Sequence, residues 1–247
     1  MNVEEQVGSF IVETRWDGLP KAVRNQARLC MVDDLGAALS GTLTRASRIT
    51  GAYAAETWPG DEATILLGGR RAGVVGAAFA NAWAANAFDS DDGLRYAYGH
   101  GGAQIFPTAL AAAESRGLDG GRMLVAMVVG YEVAHRVGRC WHDSRQVYQA
   151  CGSWGSVACA ATAAHLMGLT PEQAWGAGRV AAAERALPTL RAGRSSGALR
   201  QPGDRRAPRW HGVPLGRSGW GLELPQPGLE PGEDGGEVPL AGGLRAR

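Results

Sequence analysis

Hydrophobic residues in the first 190 positions recur mostly at steps of three and four, the spacing of one buried helix face. After Pro20, the clearest such stripe runs through Val23, Ala27, Cys30, Met31, Leu35 and Leu39. It predicts a helix over 21–39 with Pro20 in its first turn and Gly41 after its end. A second stripe predicts a helix over about 121–139, which Asp119 can cap at its N-terminus.

Several further segments have the composition of helices. We expect helices over 49–56, 72–88, 107–114 and 153–167, and a last one that begins at Thr170-Pro171-Glu172-Gln173. That last stretch has a Thr at the N-cap, Pro at the first helical position and Gln three residues after the cap. Residues 63–67, followed by two glycines, have the pattern of a strand. The predicted fold class is therefore all-α, with Ala-rich helices that can approach one another closely.

Composition changes abruptly near residue 188. Residues 191–247 contain 13 of the 37 glycines but no Ile, Phe, Tyr or Met. Such a segment cannot bury enough apolar surface to offset the cost of ordering its backbone. We therefore expect two parts, an all-α domain over 1–187 and a Gly/Pro/Arg-rich tail over 188–247. The tail is expected to be disordered, either as the natural end of a shortened paralogue or as an out-of-frame reading of a GC-rich gene.

Charge and cysteine usage narrow the functional classes. The 25 basic and 24 acidic residues give a net charge of +1, so the sequence lacks the basic excess of a nucleic-acid-binding protein. The four cysteines form no CxxC pair, which argues against a zinc site or a disulfide framework. No export signal or membrane-spanning pattern is visible, so we expect a cytoplasmic protein that binds neither membranes nor nucleic acid.

The densest polar cluster lies in the loop predicted between the helices at 72–88 and 107–114. It contains Asp89, Asp91, Asp92, Arg95 and His100. Crowded carboxylates favour protonation of one of them, and histidine exchanges protons near neutral pH, so the loop has the residues for general acid–base catalysis. Two alternatives remain open. Composition alone favours a solvated acidic loop that caps helices, and the three aspartates could bind calcium, although the distal Glu of an EF-hand is missing.

Two other histidine-containing segments have ordinary structural interpretations. Glu132, His135 and Arg136 share one face of their predicted helix and could line a pocket, but an exposed, ion-paired face is the stronger expectation. His165 lies on an Ala-rich helix and is expected to be a structural or surface histidine rather than a ligand.

The order of four motifs is similar to that of a known family. The motifs are 32–41 (VDDLGAALSG), 81–102 (an Ala-rich helix leading to DSDD and Gly-His), 107–136 (PTALA to GYEVAHR) and 152–169 (GSWGS to LMGL). On these motifs, residues 20–187 resemble the helical part of the MmgE/PrpD family, which includes 2-methylcitrate dehydratase, cis-aconitate decarboxylase and iminodisuccinate epimerase.

The resemblance implies a large helical domain joined by a smaller α+β lid, usually in a homodimer. It also implies metal-independent and cofactor-independent lyase or isomerase chemistry, in which a proton is transferred at the carbon alpha to a carboxylate of a small polycarboxylate. By position, Asp89 and Asp92 match the family's acidic pair, and His100 matches its histidine. Arg95 could bind a substrate carboxylate. Gln149 stands where many members have a second histidine and could hold substrate without acting as a base.

The resemblance is not recognisable after Leu187, where the family continues with a Lys-bearing segment and then the lid. We therefore expect this chain to have impaired activity. The alternative is a non-catalytic helical dimerisation or interaction protein derived from the same fold.

Overall fold

The computed structural model describes residues 2–93, 97–144 and 151–193. Its helices are α1 (Val3–Glu13), α2 (Lys21–Gly41), α3 (Arg45–Thr57), α4 (Val74–Ala85), α5 (Gly102–Ser115), α6 (Gly120–Ser144), α7 (Cys151–Met167) and α8 (Pro171–Gly193). A 3₁₀ turn at Trp16–Gly18 and two short strands, β1 (Ala63–Ile65) and β2 (Arg70–Ala72), complete the described part. The predicted all-α fold class is confirmed.

Helix α1 was not among the predicted elements. Its N-terminus carries a capping box, in which the Asn2 side chain accepts from the Glu5 backbone N–H at 2.8 Å and the Glu5 carboxylate accepts from the Asn2 N–H at 3.0 Å. Asn followed three residues later by Glu is a recognisable helix start, so the signal was present in the sequence. Ile11 on this helix is buried.

The start of α8 follows the predicted motif. Thr170 Oγ1 accepts from the Gln173 N–H at 3.2 Å, and the Gln173 side chain accepts from the Thr170 N–H at 3.0 Å. The helix continues to Gly193, past the region where its hydrophobic pattern fades. The boundary predicted at residue 188 therefore falls inside α8, and residues 194–247 lie outside the described part of the chain.

The strand predicted at 63–67 is the first half of a hairpin. β1 and β2 pair antiparallel, with Ala63 opposite Ala72, and the chain turns through 66–69. β2 includes Ala72, which the sequence had placed at the start of α4. Asn81 of α4 holds the hairpin, since its side-chain amide donates to the Thr64 backbone oxygen and accepts from the Leu66 N–H, both at 2.9 Å.

Helix α5 begins five residues before its predicted start at Pro107. It passes through the main core, where Ile105, Phe106 and Pro107 are almost fully buried. Neighbouring helices come close because glycines face it. A methyl group at Gly130 of α6 would collide with side chains of both α5 and α7. A methyl group at Gly155 of α7 would collide with a side chain of α5. This packing places the loop before α5 against the interior of the bundle. Among the described helices, none combines the length and apolar character needed to cross a membrane.

Candidate active site

The loop between α4 and α5 divides its aspartates between solvent and protein interior. Asp89 lies on the outside, with a side chain 80% exposed and a left-handed backbone at φ 54°. The Asp91 side chain is fully buried. Asp92 turns inward and its Oδ1 accepts from the Gly102 N–H at 2.6 Å. The solvated acidic loop that composition favoured therefore does not describe Asp91 and Asp92.

His100 lies between the exposed and the buried aspartate. Its Nδ1 is 3.1 Å from the Asp91 backbone oxygen and 3.2 Å from Asp91 Oδ2. Its Nε2 is 3.6 Å from Asp89 Oδ1. A carbonyl oxygen can only accept, so Nδ1 carries the proton in that contact. In neutral His100 the lone pair is then on Nε2, the nitrogen on the side of exposed Asp89, and the side chain is 31% exposed.

Asp92 also caps the N-terminus of α5. By accepting from the Gly102 N–H it satisfies one of the unpaired donors of that helix end, where negative charge is also favoured by the helix dipole. Burial raises the pKa of Asp92 above its ordinary value, against the lowering effect of hydrogen bonds from Tyr131 and Gly102. The predicted pair of Asp89 and Asp92 is thus split, with Asp89 beside His100 and Asp92 beneath the loop.

Two residues that sequence reasoning missed complete the inner side of the site. Asp34 of α2 is fully buried, and its Oδ2 accepts from the Tyr131 hydroxyl of α6 at 2.8 Å. Burial, followed by the nearby charge of Asp92, raises the pKa of Asp34 to about 8. The position of Asp34 on the buried face follows from the helical spacing, because it lies seven residues after buried Ala27 and four before buried Ala38. The buried face of α2 therefore includes Asp34, whereas Leu39 of the predicted stripe is exposed.

Asp89, Asp91 and His100 also have the spacing of a metal site. One ligand atom from each lies within 4.8 Å of the other two. Carboxylate and imidazole ligands of this kind suit several divalent metals. The calcium interpretation of the three aspartates is not reproduced, since Asp92 is directed to Gly102 instead. Chemistry without a metal stays a prediction.

The two predicted substrate-binding residues, Arg95 and Gln149, lie outside the described residues. Of the five predicted site residues, the structure therefore places Asp89, Asp92 and His100, and it brings Asp91, Asp34 and Tyr131 to the same end of the bundle.

The profile of the MmgE/PrpD N-terminal domain matches residues 5–205, which is most of this chain. The chain belongs to the MmgE/PrpD family. It is 28% identical over 181 residues to the "Cis-aconitate decarboxylase-like protein oryM" of Aspergillus oryzae (strain ATCC 42149 / RIB 40). That similarity covers 69% of this chain but 38% of the relative, so the chain spans well under half of the relative's length.

This MmgE/PrpD chain has an apolar cavity away from the loop. It encloses about 460 Å³ between α1, α6, α7 and α8, and it is lined by side chains such as Phe10, Val133 and Trp175. Glu132 and Arg136 form an ion pair on its wall, and Glu132 is only 3% exposed. The expectation of an exposed ion-paired face was therefore wrong, because α1 and α8 cover this side of α6.

Two further histidines of this MmgE/PrpD chain, His135 and His165, have structural surroundings. His165 is buried, and its Nδ1 lies 2.8 Å from the Ile11 backbone oxygen, which joins α7 to α1. Of the two expectations for His165, the buried structural position agrees with the structure and the surface position does not. His135 packs its ring beside Tyr131, and burial lowers its pKa to about 4.

Proposed function

We propose that this chain carries the proton-transfer site of a lyase or isomerase, a dehydratase, decarboxylase or epimerase, that acts on a small polycarboxylate. The observation that carries the proposal is the position of His100, held at Nδ1 by buried Asp91 and open at Nε2 towards exposed Asp89. Membership of the MmgE/PrpD family and the similarity to a protein named cis-aconitate decarboxylase-like support this class of chemistry. A cytoplasmic location is part of the same proposal.

In the proposed step, Nε2 of neutral His100 takes the proton from the carbon alpha to a substrate carboxylate. The C–H bond breaks, the electron pair moves into the carboxylate or expels a leaving group, and the proton ends on Nε2. The imidazolium that forms faces carboxylates on both sides, Asp91 at 3.2 Å and Asp89 at 3.6 Å, which stabilise its charge. Return of a proton to the opposite face of the carbon gives the epimer, and departure of a leaving group that takes up the proton gives the dehydrated product. In a decarboxylase the C–C bond to the departing CO₂ breaks in place of the C–H bond, and the His100 imidazolium supplies the proton to the resulting carbanion.

The described part of the site is strongly acidic, with Asp34, Asp89, Asp91 and Asp92 around one end of α5. A polycarboxylate approaching these groups needs cationic partners. This requirement favours the predicted role of Arg95 in binding a substrate carboxylate, and Gln149 would add a neutral hydrogen-bonding group.

Exchange of substrate hydrogen with solvent tests the proposed step directly. The full chain would be incubated in D₂O with cis-aconitate, 2-methylcitrate or iminodisuccinate, and deuterium incorporation or product formation would be followed by NMR. His100→Gln should abolish the reaction. The matched change His165→Gln, at a histidine of α7 whose ring bonds to α1, should leave it intact. Turnover that persists in His100→Gln would overturn the assignment, and activity lost with EDTA and restored by a divalent cation would replace it with a metal site.

A non-catalytic dimerisation protein is the second candidate, and an exposed apolar surface favours it. Tyr53 of α3 and Trp83 of α4 are each about half exposed and flank Phe79, while Val75 is 62% exposed. We propose that a second copy of the chain covers this surface in a homodimer, which is compatible with either function. Sedimentation of the wild type and of Trp83→Glu would test the dimer. A dimer without hydrogen exchange or polycarboxylate binding would favour the non-catalytic function.

A further inference from the structure

Two carboxyl groups from distant parts of the chain meet at Gly102, the first residue of α5. A methyl group at Gly102 would collide with an oxygen of Asp34 and with an oxygen of Asp92. Both oxygens therefore lie beside the position that a Cβ at Gly102 would occupy, which makes them close neighbours. Asp34 also accepts from the Tyr131 hydroxyl at 2.8 Å, and Asp92 accepts from the Gly102 N–H at 2.6 Å. The same Tyr131 hydroxyl lies within hydrogen-bonding reach of Asp92, so it contacts both carboxyls.

From this geometry we propose that Asp34 and Asp92 share one proton, with Asp34 Oδ1 donating it to the Asp92 carboxylate. Asp34 is then a positioning residue, which holds Asp92 as an ionised, fixed acceptor at the inner side of the site. The shared proton does not depend on the reaction. Its value for catalysis rests on the proposed function.

The hydrogen-bond partners on each oxygen place the proton on Asp34. Asp34 Oδ1 is buried and has no hydrogen-bond partner among the described residues, whereas Oδ2 already accepts from Tyr131. A buried polar atom left without a partner is costly, and a proton on Oδ1 converts it into a donor to Asp92. Asp92 Oδ1 is bound to the Gly102 N–H, an interaction that requires an acceptor.

The charges around the pair also favour a single proton. The charged groups that act on Asp34 from its own helix and from the loop are Asp33, Asp91 and Asp92, all acidic. The Cys30 thiol on the same helix stays neutral, because burial raises its pKa to about 11. Tyr131 of α6 is neutral, and burial raises its pKa well above the ordinary value. Two ionised carboxylates side by side in this buried position would repel each other strongly, which is why carboxyl pairs retain one proton. The raised pKa of Asp34, about 8, agrees with this geometry.

The pair of Asp34 and Asp92 thus carries one negative charge at neutral pH. That charge resides on Asp92, next to the N-terminus of α5, where the helix dipole favours it. The proton on Asp34 therefore joins α2 to the loop that carries His100, without adding a second charge beneath the proposed site.

Infrared spectroscopy and equilibrium unfolding test the shared proton without any need for turnover. The wild type at pH 7 should show the C=O stretch of a buried, protonated carboxylic acid, and this band should fade as the pH rises through about 8. Asp34→Asn should lack the band, because the amide supplies the same donor to Asp92 without a titratable proton. Asp33→Asn is the matched control, since Asp33 is the exposed neighbour on the same helix, and it should keep the band.

The same three proteins should differ in how unfolding depends on pH. A proton bound by Asp34 only in the folded state makes the unfolding constant rise up to about tenfold per pH unit between the ordinary value of 3.8 and about 8. When the logarithm of the unfolding constant is plotted against pH, the slope should therefore be lower by about one unit in Asp34→Asn than in Asp33→Asn. No protonated carboxyl band in the wild type at pH 7 would overturn the proposal, even if Asp34→Asn failed to fold. Persistence of the band in Asp34→Asn would also overturn it. Loss of His100-dependent exchange, by contrast, bears only on the proposed function.

Discussion

The indole nitrogen of Trp154 donates a hydrogen bond to the backbone oxygen of Ala97, 57 positions earlier in the chain, at 3.1 Å. Both residues are fully buried. Trp154 lies near the start of α7, and Ala97 lies three residues before His100. This bond therefore fixes the end of the loop from which the His100 side chain projects.

Replacing Trp154 by Phe should destabilise the fold. The substitution leaves the Ala97 oxygen without its donor and opens a small cavity in a fully buried position, so we expect a loss of about 1–3 kcal/mol in unfolding free energy. Urea denaturation followed by circular dichroism measures the loss. Measured on the monomer, Trp83→Phe, at a half-exposed tryptophan, should change stability by no more than about 0.5 kcal/mol. Equal effects of the two substitutions would contradict the anchoring role of Trp154.

A methyl group at Gly102 should be poorly tolerated. It would press into the Asp34 and Asp92 carboxyls, and we expect Gly102→Ala to cost about 1–3 kcal/mol through overpacking. Gly36→Ala provides the control, because Gly36 lies exposed on α2 with open space around its Cα. That change should instead stabilise the protein by about 0.5–1 kcal/mol through helix propensity. Thermal unfolding of the two variants should therefore shift in opposite directions.

Glu114 should make the fold sensitive to acid. Although burial alone raises its pKa, hydrogen bonds from the Thr64 N–H and hydroxyl, together with Arg71, outweigh that effect and lower it below the ordinary 4.5. The carboxylate therefore contributes stability above about pH 4.5, and this contribution is lost as the pH falls through the lowered value. Glu114→Gln should lose about 1–3 kcal/mol at pH 7 and show a shallower decline in acid. Glu56→Gln, at an exposed position of α3, should behave as wild type.

His135 should produce a second acid-dependent loss, in a different pH range. Burial lowers its pKa from 6.5 to about 4, so the folded state binds fewer protons than the unfolded state between these values. Stability contributed by neutral His135 is complete above about pH 6.5 and declines as the pH falls towards 4. In His135→Gln the slope of stability against pH in this range should be smaller by up to one proton than in the wild type. An unchanged slope in His135→Gln would contradict burial of a neutral imidazole.

Local signals in the sequence predicted much of this structure. The Thr170 capping box and the Asp119 cap, which accepts from the Arg122 N–H at 2.9 Å, depend on residues three apart and were found from spacing alone. The start of α5 was not predicted, because its cap comes from Asp92, ten residues earlier, and no periodic pattern records that contact.

The candidate site likewise contains residues that the sequence predicted and residues that only the fold brings together. The acidic loop and His100 stood out because they are clustered in sequence. Asp34 and Tyr131 were missed because α2 and α6 bring them to the loop from 97 positions apart. A buried aspartate on an apolar helix face is visible only when the register of that face is known. The stripe predicted for α2 followed Leu35 and Leu39 and was rotated away from Asp34.

The small side chains of the core determine which changes this protein can accumulate. Alanine and glycine form much of the contact between α4, α5, α6 and α7, and at Gly130 and Gly155 even a methyl group has no room. Every replacement of a glycine adds volume, so random mutation at these positions can only force the helices apart. The bundle should therefore diverge readily on its surface and in its loops, while the distances between its helix axes stay nearly constant.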